Sequence, residues 1–299
     1  MKTRDDAILV VMAARNEEKS LSSSIESILA QTLQPVKIVI VDDRSTDRTF
    51  DIASSLAKQT PIISVVRRTS DSKTEHREEI PKAFNEGLKS VSEDWGFLAK
   101  VDADILLEQN YFEKIVNAFT NETRLGIAGG QTTNEPMVAV RGANRVIRRQ
   151  CWESITSHGL MPEIEAEDSY LDLKASYKGW HVRLVPEARS IHLRPSREWS
   201  NIKILKHRWR IGVTCYRFGW NPILFLGRVV RISLFEKPRV VTVFPMCFGW
   251  LWAFLNHYKI DEELRQWQVQ LQESRVSNAI DEFLKSPTKA MRRISRKQL

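Results

Sequence analysis

Short apolar runs alternate with stretches of helical period through the first 120 residues, and the runs end on polar side chains. The runs are AILVVMA (7–13), VKIVIV (36–41), IISVV (62–66) and WGFLA (95–99), the last ending at Lys100. Between and after them the spacing predicts helices from Glu17 to about Gln31, from about Thr46 to Lys58, near 81–91 and near 108–119. Apolar runs of this length suit strands buried on both faces. Their alternation with helices implies a parallel α/β sheet joined by right-handed crossovers. Past Leu125 the pattern changes to the extended runs LGIAGGQ and MVAVRGANRVIRR, which predict a mixed or antiparallel portion. A helix over 165–178 and strands at HVRLV and RSIHL complete this part.

Ligands of open α/β sheets bind at the carboxyl ends of the strands. The first strand ends in AARNEE, with Asn16 expected as a helix cap. The second ends in VIVDDRSTDRTF, with Asp42 and Asp43 at its tip and Ser45 or Thr46 as the next cap. The fourth runs into KVDADILL, which carries Asp102 and Asp104. One acidic strand end, taken alone, reads as a turn or a cap. Three together make a pocket. A carboxylate after the second strand can accept hydrogen bonds from a base or ribose. Two carboxylates on the fourth can hold a hard divalent cation, Mn2+ or Mg2+, which binds oxygen and bridges phosphates. The combination fits a nucleoside diphosphate carrying a group to be transferred, with the metal neutralising charge on the departing diphosphate. No Gly-x-Gly-x-x-Gly follows the first strand and no Walker A sequence is present, which counts against a Rossmann dehydrogenase and a P-loop nucleotidase.

Charge is unevenly placed along the 299 residues. Residues 194–239 carry eleven Lys or Arg against Glu198 and Glu236, and residues 285–299 carry six basic residues and no acid, on a chain of net charge +8. Such blocks suit nucleic acid or anionic lipid. The stretch between them favours lipid and no nucleic acid. From Asn221 the sequence is rich in aromatic residues, Leu and Val, yet Arg228, Arg231, Glu236, Lys237 and Arg239 interrupt it. Its longest uncharged run, Val240 to Tyr258, is 19 residues and contains Pro245, Asn256 and His257, at the lower limit for a spanning helix. Trp250, Trp252 and Tyr258 beside basic residues suit a membrane interface; the competing expectation is a packed helical layer of a soluble protein. Cys151, Cys215 and Cys247 are scattered and odd in number, giving neither a disulfide framework nor a zinc pattern, which favours a reducing compartment. The N-terminus, with acids before a short apolar run, is expected to be a first strand and not a signal peptide.

The segments VVMAARNEEKSLSSSIESILAQTLQPVKIVIVDDRSTDRT, KVDADILL, RGANRVIRRQCW and EAEDSYLDLKASYKGW follow one another in the order and spacing of the inverting GT-A glycosyltransferases of family 2. The chain resembles that family over roughly residues 6–195. The resemblance implies a GT-A, Rossmann-like mixed sheet over residues 1–220, here followed by a helical, membrane-facing extension over 221–299. It implies metal-dependent transfer of a sugar from a nucleoside-diphosphate sugar to an acceptor. The C-terminal layer, for its part, is expected to place the chain on the cytoplasmic side of the cell membrane, peripheral or monotopic, facing an acceptor that is lipid-linked or a glycan precursor. By the same resemblance Ala13, Arg15 and Glu17 line the nucleotide mouth, and Asp43, with Asp42 behind it, contacts the base. Asp102 lies near ribose and diphosphate, Asp104 is the metal ligand, and His192 stands near metal or diphosphate. Gly142, Ala143 and Asn144 run beside the donor sugar. Asp168 matches the general base that takes a proton from the attacking hydroxyl, with Glu167 as the competing carboxylate. LKHRW (205–209) is similar to the Gln-x-x-Arg-Trp motif of processive synthases, in which Arg208 and Trp209 would contact diphosphate and acceptor. Leu205 replaces its Gln, which counts against processive polymer synthesis. Two rivals remain: a nucleotidyltransferase, which would release pyrophosphate, and a non-catalytic sugar-nucleotide-binding protein, which would need no base.

Overall fold

The computed structural model describes residues 6–69, 76–133, 139–140, 142–164, 166–194, 201–235, 243–258 and 261–285. Contacts divide the chain into two compact units, Met1–Arg197 and Glu198–Leu299.

The first unit is built on β1 (Ile8–Ala14), α1 (Leu21–Leu29), β2 (Lys37–Asp43), α2 (Thr49–Gln59), β3 (Ile63–Arg68), α3 (His76–Lys89), β4 (Phe97–Val101), β5 (Ile105–Leu107), α4 (Tyr111–Asn121), β6 (Leu125–Thr132), β7 (Asn144–Arg148), α5 (Arg149–Ile155), α6 (Glu167–Tyr177) and β8 (His181–His192). The strands form one sheet in the order β3-β2-β1-β4-β7-β6-β8-β5. The first four pair in parallel, as their continuous apolar runs require. β7 enters antiparallel between β4 and β6, so the mixed portion expected past Leu125 is present. Side chains alternate across the sheet. Ile8, Val10 and Met12 of β1 pack with Ile25, Phe112 and Phe119 on one face. Leu9 and Val11 pack with Phe84, Trp152 and Leu171 on the other. Helices α1, α2 and α4 thus cover one face, and α3, α5 and α6 the other.

Several local expectations change. Helix α1 starts at Leu21, because residues 17–20 form a turn closed by the Ser20 and Leu21 amides on the Glu17 carbonyl. Asn16 therefore caps nothing. It takes a left-handed φ of 56°, and its side chain reaches the next strand's loop. HVRLV and RSIHL are one continuous strand, β8, with a register shift against β6 between Gly130 and Gln131. Helix α5 and the short strand β5 were not foreseen; each is too short to show a period.

The second unit contains α7 (Asn201–Arg217), α8 (Pro222–Phe235), α9 (Val243–Leu255) and α10 (Glu262–Lys285). Phe225, Val229 and Ile232 of α8 pack with Cys215 of α7 and Met246 of α9. Helices α7 and α9 cross in backbone contact: a Cβ on Gly212 would stand 2.0 Å from the Met246 carbonyl oxygen, and one on Gly249 would stand 2.1 Å from that of Trp209. Among the described residues no helix is long and apolar enough to cross a membrane. Helix α7 packs on α9 and so falls within this second unit.

Candidate active site

The loops after β1 and β2 are stitched together by the residues that read as caps. The Asn16 amide donates to Ser45 Oγ (3.1 Å) and the Glu17 amide to Thr49 Oγ1 (2.7 Å). The Glu18 amide donates to Asp47 Oδ2 (3.2 Å), and Thr46 N–H donates to Asn16 Oδ1 (2.8 Å). The turn at Asp102–Asp104 is fixed from two other strands. Asp102 N–H donates to the Ala143 carbonyl (2.9 Å), and Leu193 N–H donates to that of Asp104 (2.8 Å). Three strand tips are thereby held in place at the expected edge of the sheet.

Between them lies a cleft lined by Ala13, Arg15 and Glu17 from the first tip, Asp43 from the second, and Asp102 and Asp104 from the fourth. His192 and Arg194 join them from the end of β8, and Ile80 and Ala83 from α3. Asp43 accepts from Arg44 Nε (3.0 Å) and Arg68 Nη1 (2.7 Å), and both arginines also reach the buried Glu79. Asp42 points away into the sheet, fully buried, with Arg67 Nε 3.5 Å from its Oδ2. Asp104 Oδ2 takes two donors, His192 Nε2 at 3.1 Å and Arg194 Nε at 2.6 Å. The other end of the Arg194 guanidinium meets Glu17. Burial pushes the Asp102 carboxyl above the usual carboxylate range; Lys100 and His192 pull it back, while Asp104 and Asp168 push it further.

Beside this edge stands the start of α6. Glu167 is buried and bonded to Lys100 Nζ at 3.0 Å. Asp168 is part-exposed, with Oδ1 accepting the Ser169 amide at 2.8 Å. Its Oδ2 lies 3.1 Å from where a Cβ of Gly142 would be. Asp172, one turn on, pairs with Arg145 Nη1 at 3.1 Å, and burial pushes its carboxyl up to about 6 against the pull of that guanidinium.

One residue of this unit singled out by sequence, Asn144, does not line the cleft. Asn144 is buried within β7, its Nδ2 donating to the Gly130 carbonyl (3.2 Å) and to Ser190 Oγ (2.8 Å), so its amide ties three strands together. Arg208 and Trp209 belong to α7 in the second unit, where Arg208 is buried and the Trp209 ring lies 6.1 Å from that of Trp252. Four side chains that sequence reading passed over take part: Arg194 in the cleft, and Lys100, Arg145 and Asp172 behind Asp168. Lys100 carried a signal, a lone cation ending an apolar run.

The donor set suits a hard divalent ion. Among the described residues no group of three or more His, Cys, Asp or Glu encloses a metal position. An open pair of carboxylates is what Mg2+-like ions use when waters and substrate phosphates supply the other ligands. The crowded charge of Asp102 and Asp104, already drawing in the Arg194 guanidinium, is the electrostatic counterpart of that requirement.

A family profile described as Glycosyl transferase family 2 matches residues 9–168, and one described as Glycosyl transferase family group 2 matches residues 105–267. The chain is 31% identical over 121 residues to the uncharacterized glycosyltransferase alr2836 of Nostoc sp., a stretch covering 40% of this chain and 35% of that one. It is 29% identical over 111 residues to glycosyltransferase GlyA of Streptococcus pneumoniae, covering 37% and 15%. The matched stretch thus spans about a third or less of these curated relatives. Among solved structures, the mannosyltransferase PcManGT from Pyrobaculum calidifontis, in complex with GDP-Man and Mn2+, superposes with a TM-score of 0.54 at 16% identity, covering 97% of this chain and 79% of that one. At that identity the likeness shows the fold alone, a GT-A-like α/β fold.

Proposed function

Because the chain belongs to glycosyl transferase family 2, we propose that it moves one sugar, with inversion, from a nucleoside-diphosphate sugar to an acceptor hydroxyl or phosphate. The observation that carries this reading is the convergence of Arg15, Glu17, Asp43, Asp102 and Asp104 on one cleft at the carboxyl edge of the sheet, with Asp168 beside it. The GDP-Man and Mn2+ bound by the mannosyltransferase of like fold support the donor and cofactor class.

The cleft divides the work. Asp43, fixed by two arginines, offers acceptor oxygens to the base, while Ala13, Arg15 and Glu17 border the nucleotide. Asp104, with Asp102 and His192, would hold a Mn2+ or Mg2+ ion, whose chemistry is to neutralise charge on the departing diphosphate. Arg194 yields Asp104 and turns its guanidinium to the phosphates, a planar donor matched to such oxygens. Asp168 accepts the proton of the attacking hydroxyl as the new glycosidic bond forms and the bond to the diphosphate breaks. Its rival Glu167 is committed to Lys100. Hydrogen bonds tie the lining strand tips to their neighbours, an arrangement that would hold donor and base in reacting geometry before the acceptor arrives.

The acceptor we propose is lipid-linked, at the cytoplasmic face of the membrane. Supporting this, α9 turns Phe244, Phe248, Leu251, Trp252 and Leu255 outward, opposite its buried Met246, Gly249 and Ala253. Helix α8 likewise exposes Ile223, Leu226 and Val230, with Arg231 beside them. An apolar face with basic neighbours embeds at the headgroup boundary of an anionic bilayer.

The test is Asp168→Asn. Losing a positioned general base typically costs about 10²–10⁴ in rate, so release of nucleoside diphosphate from a turned-over GDP- or UDP-sugar should fall by that factor at near-normal donor affinity. A variant that keeps full turnover contradicts the assignment, and pyrophosphate released from a nucleoside triphosphate and a sugar phosphate would mark a nucleotidyltransferase.

A further inference from the structure

We propose that Lys100 and Arg145 are positioning residues that aim Asp168 at the cleft, acting through α6 from below. The inference rests on Asp168 being the base, and its test separates the two.

Lys100 of β4 and Arg145 of β7 are direct cross-strand partners in the antiparallel register, and both are buried, 7% and 1% exposed. Like charges set opposite one another in a sheet repel, and a buried cation without a partner is costly. Both are answered by one helix. Lys100 Nζ bonds Glu167 Oε1 at 3.0 Å; Arg145 Nη1 bonds Asp172 Oδ1 at 3.1 Å and the Asp168 main-chain oxygen at 3.2 Å. The two cations therefore grip α6 on either side of Asp168, and Arg145 grips Asp168 itself by its backbone.

Helix docking alone does not call for this arrangement. Leu171 and Ala175 already bury α6 against the sheet, and replacing buried ion pairs by apolar groups of similar volume is often neutral or stabilising. What paired charges add is a defined register of the helix. That register is under local strain. α6 begins after Ala166 at φ 61°, a left-handed conformation unfavourable for a residue with a Cβ, and no side chain caps it. Gly142 completes the arrangement. A Cβ there would stand 3.1 Å from Asp168 Oδ2 and 3.4 Å from Lys100 Nζ, so the bare glycine leaves room for the carboxylate against the strand.

The experiment uses the full chain with Mn2+ and a panel of GDP- and UDP-sugars, reading nucleoside diphosphate release, together with hydrogen exchange of the amides of 167–172. The decisive variant is the double Lys100→Met, Glu167→Met, which removes the charges while keeping the volume. It should fold with unchanged or raised Tm, yet lose about 10–100-fold in kcat, the scale of a misplacement near 1 Å, with KM for donor within about threefold. Lys100→Arg should recover most of the turnover. In an Asp168→Asn background the double replacement should cause no further loss, since its effect passes through that carboxylate. A folded double variant with wild-type kcat, or losses that multiply in the Asp168→Asn background, overturns the proposal. If Asp168→Asn itself turns over normally, the base assignment fails, and exchange decides the positioning. Faster exchange confined to 167–172 supports it, and unchanged exchange overturns it.

Discussion

Tyr111 shows how much of the site rests on single buried groups behind it. Its hydroxyl accepts the Gly130 amide at 2.7 Å and donates to the Asn144 carbonyl, joining β6 to β7 two residues from Gly142. Burial pushes the phenol well above its ordinary range, which keeps the hydroxyl protonated and a donor at neutral pH. Tyr111→Phe would leave a buried N–H and a buried C=O unmet, costing about 1–3 kcal/mol; a shift of the urea midpoint in that direction checks it, and an unchanged midpoint refutes it. At this scale the sequence was only partly legible. Asp43, Asp102 and Asp104 could be placed at strand tips because a strand's end is visible as the end of an apolar run. Asn144 could not be told from a ligand-facing residue, since which face it turns to depends on Gly130 and Ser190, 14 and 46 residues away. The pairing of Glu167 with a lysine was hidden for the same reason: Lys100 lies 67 residues earlier.

Among the elements, the crossing of α7 and α9 depends on Gly212 and Gly249 having no side chain where the backbones meet. Gly249→Val would force the helices apart, an overpacking error of about 1–3 kcal/mol. Cys215 reports it. Burial pushes that thiol up to about 11, and the reactive thiolate forms only as pH rises through that value. At pH 8 Cys215 should therefore resist alkylation in the native chain and react faster in Gly249→Val; equal rates would show that the crossing tolerates the branch. Strands β1 to β4 and their helices were legible because period and length together identify buried parallel strands. Helix α5 was not, being seven residues long. Composition changes at Asn221, whereas packing groups α7 with the helices that follow it.

At the scale of the whole molecule, the uneven charge and the exposed apolar faces of α8 and α9 make one prediction. The full chain should sediment with anionic phosphatidylserine vesicles, less so in high salt, because each basic residue near such a surface adds about 1 kcal/mol. Phe248→Glu, on the outer face of α9, should reduce binding without altering the fold; wild-type protein that stays in the supernatant at low salt contradicts attachment. The family and its α/β fold were legible at this scale because the motifs occur in order along the chain, while donor and acceptor identity reside in pocket shape. The central claim is that the strand-tip carboxylates hold a nucleoside diphosphate through a divalent ion, and calorimetric titration of GDP and UDP tests it most directly, with and without Mn2+, into wild type and Asp104→Asn. Mn2+ should tighten wild-type binding of one nucleotide by about tenfold or more, and Asp104→Asn should abolish that gain while leaving Tm unchanged. Equal affinity with and without Mn2+ in the wild type, or an undiminished Mn2+ effect in Asp104→Asn, would contradict it.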